Sequence, residues 1–204
     1  MCVGQTAART PRGPELHFVI GDSRPWKADL WRIAHRLAGR TEQVRWTEQS
    51  FVNLEKDLFL AFFIIRKLMD ARKLSVEVES IRVSATVYPW KDGKPINFLN
   101  WDHFDDAYEW SKPAEETLSL RGLCNLFVHS YVYSPLMSDD RQLEAVLVSS
   151  DHSRHESLFN FNAIQIVEVI QAVASDDPVL LEATLYGATG DYIVRLSQTT
   201  PRDS

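Results

Sequence analysis

Apolar side chains return at steps of three and four residues between 47 and 73, which is the clearest pattern in the chain. Six of them form one stripe: Phe51, Leu54, Leu58, Phe62, Ile65 and Met69. This spacing is typical of a buried face of an α-helix. Phe59, Phe63 and Ile64 widen the stripe. We therefore predict a long helix over 47–73 whose middle is buried on most sides.

Two further helices are predicted from similar patterns. The first begins at Asp22 or Ser23 and has Pro25 in its first turn. It runs to about Leu37 and ends before Gly39. The second covers 163–175, where Ile, Val and Ala recur at helical spacing.

An alternation of apolar and polar residues predicts strands elsewhere. It runs from Val76 to Val87 with one slip near 79–80, which indicates a bulge. The turn signal KDGK at 91–94 should lead into PINFLNW, 95–101, as the partner strand. The segment 101–116 is predicted to form a helical turn and then an ordered loop. Strands are also predicted at 15–20, 143–150 and 156–161, and a closing hairpin at 179–197 in which 179–186 has a helix as its alternative.

Paired strands between separated helices predict an α+β fold and not a parallel βαβ sheet. We expect a helical core, made of the long helix 47–73 and a helix at 117–133, with antiparallel β-hairpins around it. Residues 1–14 are small and polar and contain two prolines, which predicts a disordered tail. Residues 15–204 then form a single α+β domain, for which 45% hydrophobic residues supply enough core.

The net charge and its distribution limit the kinds of molecule that the protein is expected to bind. The net charge is −6, although residues 1–47 hold eight basic and four acidic side chains. A protein that binds duplex DNA through its phosphates is usually basic overall, so the charge leaves a local basic face that contacts RNA, or an acidic partner, as the alternatives. The N-terminus lacks the apolar run of a secretory signal, and the longest apolar run, 58–65, is too short to cross a bilayer. We expect a cytoplasmic protein with no membrane contact.

The sequence lacks the motifs of several kinds of active site and cofactor site. There is no G-x-S-x-G around a serine and no phosphate-binding glycine loop, so nothing implies a cofactor. Cys2 and Cys124 fit neither a disulfide framework nor a zinc site, and Cys124 is expected to pack as a small apolar side chain. The stretch DHSRHE at 151–156 holds two histidines three apart, which can share a metal, but a solvated hairpin turn is the better interpretation.

Polar residues interrupt the apolar segment RGLCNLFVHSYVY, 121–133, within the helix predicted at 117–133 and capped by Thr117. At about 100° per residue, Asn125 and His129 lie about 40° apart, one turn from each other. By the same arithmetic Arg121 lies about 80° from His129, within reach of its long side chain. Gly122 shares this face and would let another backbone, such as that of a second subunit, approach closely.

This segment resembles a helix of HEPN-domain proteins (higher eukaryotes and prokaryotes nucleotide-binding), in which an arginine precedes a histidine on a late helix. The resemblance covers the helix at 117–133 and extends at most to the long helix before it, and seven residues separate Arg121 from His129. It implies a metal-independent ribonuclease, a toxin or phage-defence component, acting as a homodimer whose cleft holds the arginine and histidine of both subunits. Other members of that family bind RNA or nucleotide without cutting, or serve as protein partners.

The resemblance also implies roles for three residues. His129 would be the general acid or base, because an imidazole transfers protons well near neutral pH. Arg121 would bind the scissile phosphate, a task suited to a planar guanidinium. Asn125 would orient one of them by hydrogen bonding. The alternative is a non-catalytic interaction module, such as an antitoxin, an immunity protein or a structural subunit, with His129 as a hydrogen-bonded core residue.

Three arginines at four-residue steps, Arg32, Arg36 and Arg40, form a basic stripe on the first predicted helix. They are candidate substrate-binding residues that would contact RNA phosphates. The alternative is an ordinary solvated helix face, opposite the side that Leu30, Ile33 and Leu37 bury.

Overall fold

The computed structural model describes residues 20–100, 103–186 and 191–198. The helices in these ranges are α1 (Arg24–Arg40), α2 (Glu48–Asp70), α3 (Val76–Glu79), α4 (Leu120–Val128) and α5 (Ala163–Ala174). The strands are β1 (Arg82–Pro89), β2 (Ala114–Ser119), β3 (Ser130–Met137), β4 (Leu143–Ser150), β5 (Ser157–Asn162), β6 (Leu180–Tyr186) and β7 (Asp191–Ser197). The predicted α+β class is confirmed. The predicted tail at 1–14 and nearly all of the strand predicted at 15–20 lie outside the described residues.

Five of the strands form one antiparallel sheet in the order β2-β1-β5-β4-β3. Strands β6 and β7 form a separate hairpin. Because β2 and β3 lie at opposite edges, α4, which joins them in the chain, crosses one face of the sheet. This crossing places the end of α4 beside the β3 edge.

The helices cover one face of the sheet in two layers. Helices α4 and α5 contact the strands, α2 packs on α4, and α1 packs on α5. The core between them includes Val83, Val146 and Phe161 from the sheet. On the other face, Val132, Leu147 and Leu158 pack against residues of the segment 90–110, so both faces of the central strands are buried.

A run of aromatic rings fixes α4 between the outer helices and the sheet. The Phe127 ring stacks on Phe62 of α2, with ring centroids 4.1 Å apart, and lies 6.3 Å from the Phe161 ring of β5. All three side chains are fully buried. Burying such rings removes a large apolar area from water, so this contact determines the position of α4.

The long helix was predicted well, although not its burial. Thr47 caps α2, since its hydroxyl accepts from the Ser50 N–H, and the helix then follows the predicted stripe. Leu60 and Phe63, however, are 49% and 43% exposed. Helix α2 therefore presents an apolar outer side, where near-complete burial was predicted. The predicted helices at the start and at 163–175, the strands at 143–150 and 156–161 and the closing hairpin are also confirmed. The predicted end of the first helix at Gly39 is wrong, because α1 continues through this glycine to Arg40.

Three predictions about the middle of the chain are wrong. Residues 76–79 form a helical turn, because the Ser75 hydroxyl accepts from the Val78 N–H and caps it. Residues 95–100 form no strand and end in a turn at 98–100, because Asn97 and Asn100 side chains bond nearby backbone atoms. The partners of β1 are instead β5 and β2, an acidic edge strand in the segment predicted as a loop.

The helix predicted at 117–133 is shorter than expected. Its cap is Ser119, whose hydroxyl accepts from the Gly122 N–H, and it ends at Val128. From Ser130 the chain continues as β3, where Tyr131, Val132 and Tyr133 have the side-chain types that strands favour. Backbone hydrogen bonds between β3 and β4 replace further helical turns in this segment. His129 is therefore the residue that joins helix to strand.

None of the helices in the described ranges is long and apolar enough to cross a membrane.

Candidate functional site

His129 lies at the C-terminal end of α4, with its backbone between helix and strand. Its N–H donates to the Asn125 carbonyl at 3.0 Å, and its own carbonyl accepts from the Asp151 N–H at 2.9 Å. The side chain is exposed to solvent. The alternative expectation of a core histidine is therefore wrong.

A polar cluster joins α2 to α4 one turn before His129. We call it the Asp70 cluster; it consists of Arg66, Asp70, Arg121 and Asn125. The Asp70 carboxylate accepts from Arg66 at 3.1 Å and from Arg121 at 2.9 Å. Arg66 also donates to the Asn125 side-chain oxygen. Desolvation raises the pKa of Asp70, but the hydrogen bonds from Arg121 and Arg66 outweigh it and hold this pKa below its ordinary value.

The β4–β5 turn, 151–156, lies on the other side of His129 and is held by serine hydroxyls. The Ser150 N–H donates to the Ser153 hydroxyl at 3.0 Å, and the Ser153 N–H donates to the Ser150 hydroxyl at 3.1 Å. The buried Ser149 hydroxyl donates to the Ser157 carbonyl. Arg154 pairs with Asp151 and stacks over the Tyr131 ring at 3.9 Å. These contacts fix the turn, so His152 projects from an ordered backbone.

These elements together form an open groove of about 490 Å³, which we call the His129 groove. Its lining comes from α2, from the end of α4 and from the β4–β5 turn: Arg66, Gly122, Asn125, Leu126, His129, Ser150, Asp151 and His152. A volume of this size is within the range of ordinary ligand sites. The groove combines one guanidinium, one amide and two imidazoles, which are groups suited to binding a phosphodiester and moving protons on it.

The structure brings together two of the three residues predicted to be catalytic. Asn125 and His129 line the groove, but Asn125 bonds Arg66, where a bond to Arg121 or His129 was predicted. Arg121 is not among the lining residues and pairs with Asp70. The arginine within the groove comes from α2 and not from α4.

The predicted basic stripe on α1 is present, but each of its arginines has a partner. Arg36 forms a two-pronged ion pair with the buried Asp57 of α2, at 2.6 and 3.0 Å. Arg32 pairs with Asp29, and Arg40 bonds Gln43. Leu30, Ile33 and Leu37 are buried on the opposite side, as predicted. The stripe therefore carries less free positive charge than its sequence indicates.

Arg66 and His152 were not identified as site residues by sequence reasoning. Arg66 with Asp70 has the common i,i+4 spacing of an exposed helix pair, and His152 belongs to a turn rich in polar residues. Neither pattern reveals a site, because both residues reach His129 only through tertiary packing.

Two other side chains with reactive groups have structural surroundings. Burial raises the pKa of the Cys124 thiol to about 12, so it packs as the predicted apolar residue. The His155 ring accepts from the Ile96 N–H at 3.0 Å and contacts Trp90. Among the residues that the structure describes, no three His, Cys, Asp or Glu side chains are grouped so as to hold a metal ion.

Comparison of the chain with known proteins found no match. Neither a family model, nor a curated protein, nor a solved structure shows significant similarity to this chain. The assignment of a function therefore rests on the groove itself.

Proposed function

We propose that the protein acts on RNA as a metal-independent ribonuclease, with the His129 groove as its active site. The observation that carries this proposal is the position of the His129 imidazole, which is exposed in a groove beside a guanidinium and an amide. In this role His129 transfers a proton to or from a ribose oxygen, and Arg66 binds the neighbouring phosphate. Asn125 holds the Arg66 guanidinium in place.

This function agrees with the resemblance to HEPN-domain ribonucleases in its chemistry and changes one residue. The phosphate-binding arginine is Arg66, because Arg66 lines the groove and Arg121 does not. On this proposal the protein is a cytoplasmic toxin or phage-defence component.

We further propose that the active form is a homodimer. Helix α2 presents Leu60 and Phe63 to solvent, and large apolar side chains that are exposed next to each other favour burial against another chain. Light scattering coupled to size exclusion tests this: Leu60→Glu with Phe63→Glu should give a monomer, whereas Leu99→Glu, at a 90% exposed loop position, should not. A wild-type monomer at assay concentrations would contradict the dimer.

The same apolar side favours a second function, a non-catalytic module that binds another protein. The antitoxin, immunity protein or structural subunit expected from the sequence would use Leu60 and Phe63 in this way. In that case the groove has no catalytic role, and the double α2 variant loses the partner while changes at His129 have no effect.

RNA cleavage in the presence of EDTA distinguishes the two functions. We expect the wild-type protein to cut a single-stranded RNA, and His129→Ala to lower the rate by about 100-fold or more. The matched control is His35→Ala, because His35 is an exposed histidine on α1, away from the groove. Absence of wild-type cleavage, or equal rates for wild type and His129→Ala with the fold intact by circular dichroism, would contradict the proposal.

A further inference from the structure

His152 occupies the groove beside His129 but has no role in the function as proposed so far. The two residues are close because the β3–β4 ladder continues past its last pair. Ser130 lies opposite Ser150, and the next bond joins the Asp151 N–H to the His129 carbonyl at 2.9 Å. His152 directly follows Asp151, so its backbone lies one residue from this hydrogen bond. The two imidazoles therefore leave the backbone from neighbouring positions and line the same groove.

The other polar side chains of the groove already have partners. Arg66 bonds Asn125 and Asp70, Asp151 pairs with Arg154, and the Ser150 hydroxyl bonds Ser153. In the parts of the chain that the structure describes, no hydrogen bond or ion pair engages the imidazole of His129 or of His152. Both rings are also exposed. Within the described ranges, these imidazoles are the polar side chains of the groove that a proton transfer can use without first breaking a hydrogen bond.

Cleavage of RNA through its own 2′-hydroxyl needs two proton transfers. One group removes the proton from the 2′-oxygen, and this oxygen forms a bond to phosphorus. The bond between phosphorus and the 5′-oxygen breaks, and a second group gives that oxygen a proton. The products are a 2′,3′-cyclic phosphate and a 5′-hydroxyl, and no other reactant is consumed. Two imidazoles in one groove match this requirement, since one can act as base while the other acts as acid.

We propose that His152 is the second proton-transfer residue of the His129 groove, so that His129 and His152 divide the two transfers while Arg66 holds the phosphate between them. This inference rests on the proposed ribonuclease function. It assigns a catalytic role to a turn residue that the sequence presents as an ordinary solvated histidine.

The first test compares rates on a single-stranded RNA in EDTA. His152→Ala should lower the cleavage rate by about 100-fold, comparably to His129→Ala, because each proton transfer contributes a factor of that order. His35→Ala again serves as the control. If the wild type cuts and His129→Ala does not, but His152→Ala cuts at the wild-type rate, this inference is overturned while the proposed function stands. If the wild type does not cut at all, both are overturned.

The second test separates a catalytic role from a structural one. The substrate is a DNA strand with one ribonucleotide whose 5′-leaving oxygen is replaced by sulfur. A thiol ordinarily titrates near 8.5, far below an alcohol, so a thiolate leaves without receiving a proton. The variant that lacks the acid should recover to within about tenfold of the wild type on this substrate, while the variant that lacks the base should not. Recovery of both variants or of neither would overturn the division of roles.

Discussion

Arg66 and Arg121 both bond the same carboxylate, but only Arg66 lines the His129 groove. This makes Arg66→Gln and Arg121→Gln a matched pair of variants. Each removes one guanidinium from Asp70, and Arg66→Gln also removes the bond to the Asn125 side chain. Only Arg66→Gln should remove a contact to the RNA phosphate.

The size of each effect follows from the surroundings of the cluster. The Asp70 side chain is 40% exposed, so the loss of one ion pair should cost less than about 1 kcal/mol of unfolding free energy in either variant. A charge-assisted hydrogen bond to a phosphate contributes about 1.5–3 kcal/mol. Its loss in Arg66→Gln should therefore weaken RNA binding by roughly 10- to 150-fold. The slope of log K against log salt should also become less steep by about 0.7, the value for one phosphate contact of a single strand.

The assay is fluorescence anisotropy of an end-labelled single-stranded RNA at several salt concentrations. Both arginine changes are made in a His129→Ala background, so that the RNA stays intact. We expect a weaker affinity and a shallower salt slope for Arg66→Gln, and values close to the background protein for Arg121→Gln. If Arg121→Gln shows the larger loss, the arginine predicted from the sequence is the phosphate-binding one and the role given to Arg66 is refuted. Equal losses of affinity in the two variants would mean that the weaker binding comes from a change in the fold and not from a lost phosphate contact.

Three further variants test the packing and charge of the remaining structure. Asp176→Asn leaves the Lys27 ammonium buried without its counter-charge and should cost about 3 kcal/mol in urea unfolding at pH 7. Burial lowers the pKa of Lys27, so between its folded and unfolded pKa values the unfolded chain binds more protons and stability rises with pH. The stability deficit of Asp176→Asn should therefore shrink toward pH 10, and a constant deficit would refute this. Phe127→Ala removes the middle ring of the aromatic run and should cost about 3–5 kcal/mol of unfolding free energy, measured by thermal unfolding. The control Phe98→Ala, at an 83% exposed position, should not change the melting temperature. Arg32→Gln with Arg40→Gln should weaken RNA binding at low salt if the basic stripe contacts phosphates, and unchanged affinity would reject that role.

The parts of the fold that were predictable are those whose own pattern is strong. Helix α2 has a stripe of apolar residues and a capping threonine, and strands β4 and β5 surround a polar turn. The edge strand β2 could not be predicted in this way, because its exposed AEET segment has no apolar alternation and becomes a strand only by pairing with β1. The strand predicted at 95–101 failed for a local reason, since asparagine side chains there satisfy backbone groups that a sheet would otherwise use.

The site was predictable in part for the same physical reason. Asn125 and His129 are one turn apart on a single segment, so helical periodicity alone placed them together. Arg66 and His152 come from elements that are 63 and 23 residues away from His129 in the chain. Only the packing of α2 on α4 and the pairing of β3 with β4 bring them to the groove. The exposure of His129 depends on the helix ending at Val128, which is decided by the strand that follows.

The most direct test of the RNA site is an NMR titration of the histidine side chains with a short single-stranded RNA whose 2′-hydroxyls are methylated, so that it cannot be cut. The ring signals of His129 and His152 are assigned by their loss in the corresponding alanine variants, and that of His35 serves as the internal control. We predict that RNA shifts the His129 and His152 signals at concentrations that leave His35 unchanged. If the His129 signal does not move while the RNA is bound, the groove is not the RNA site.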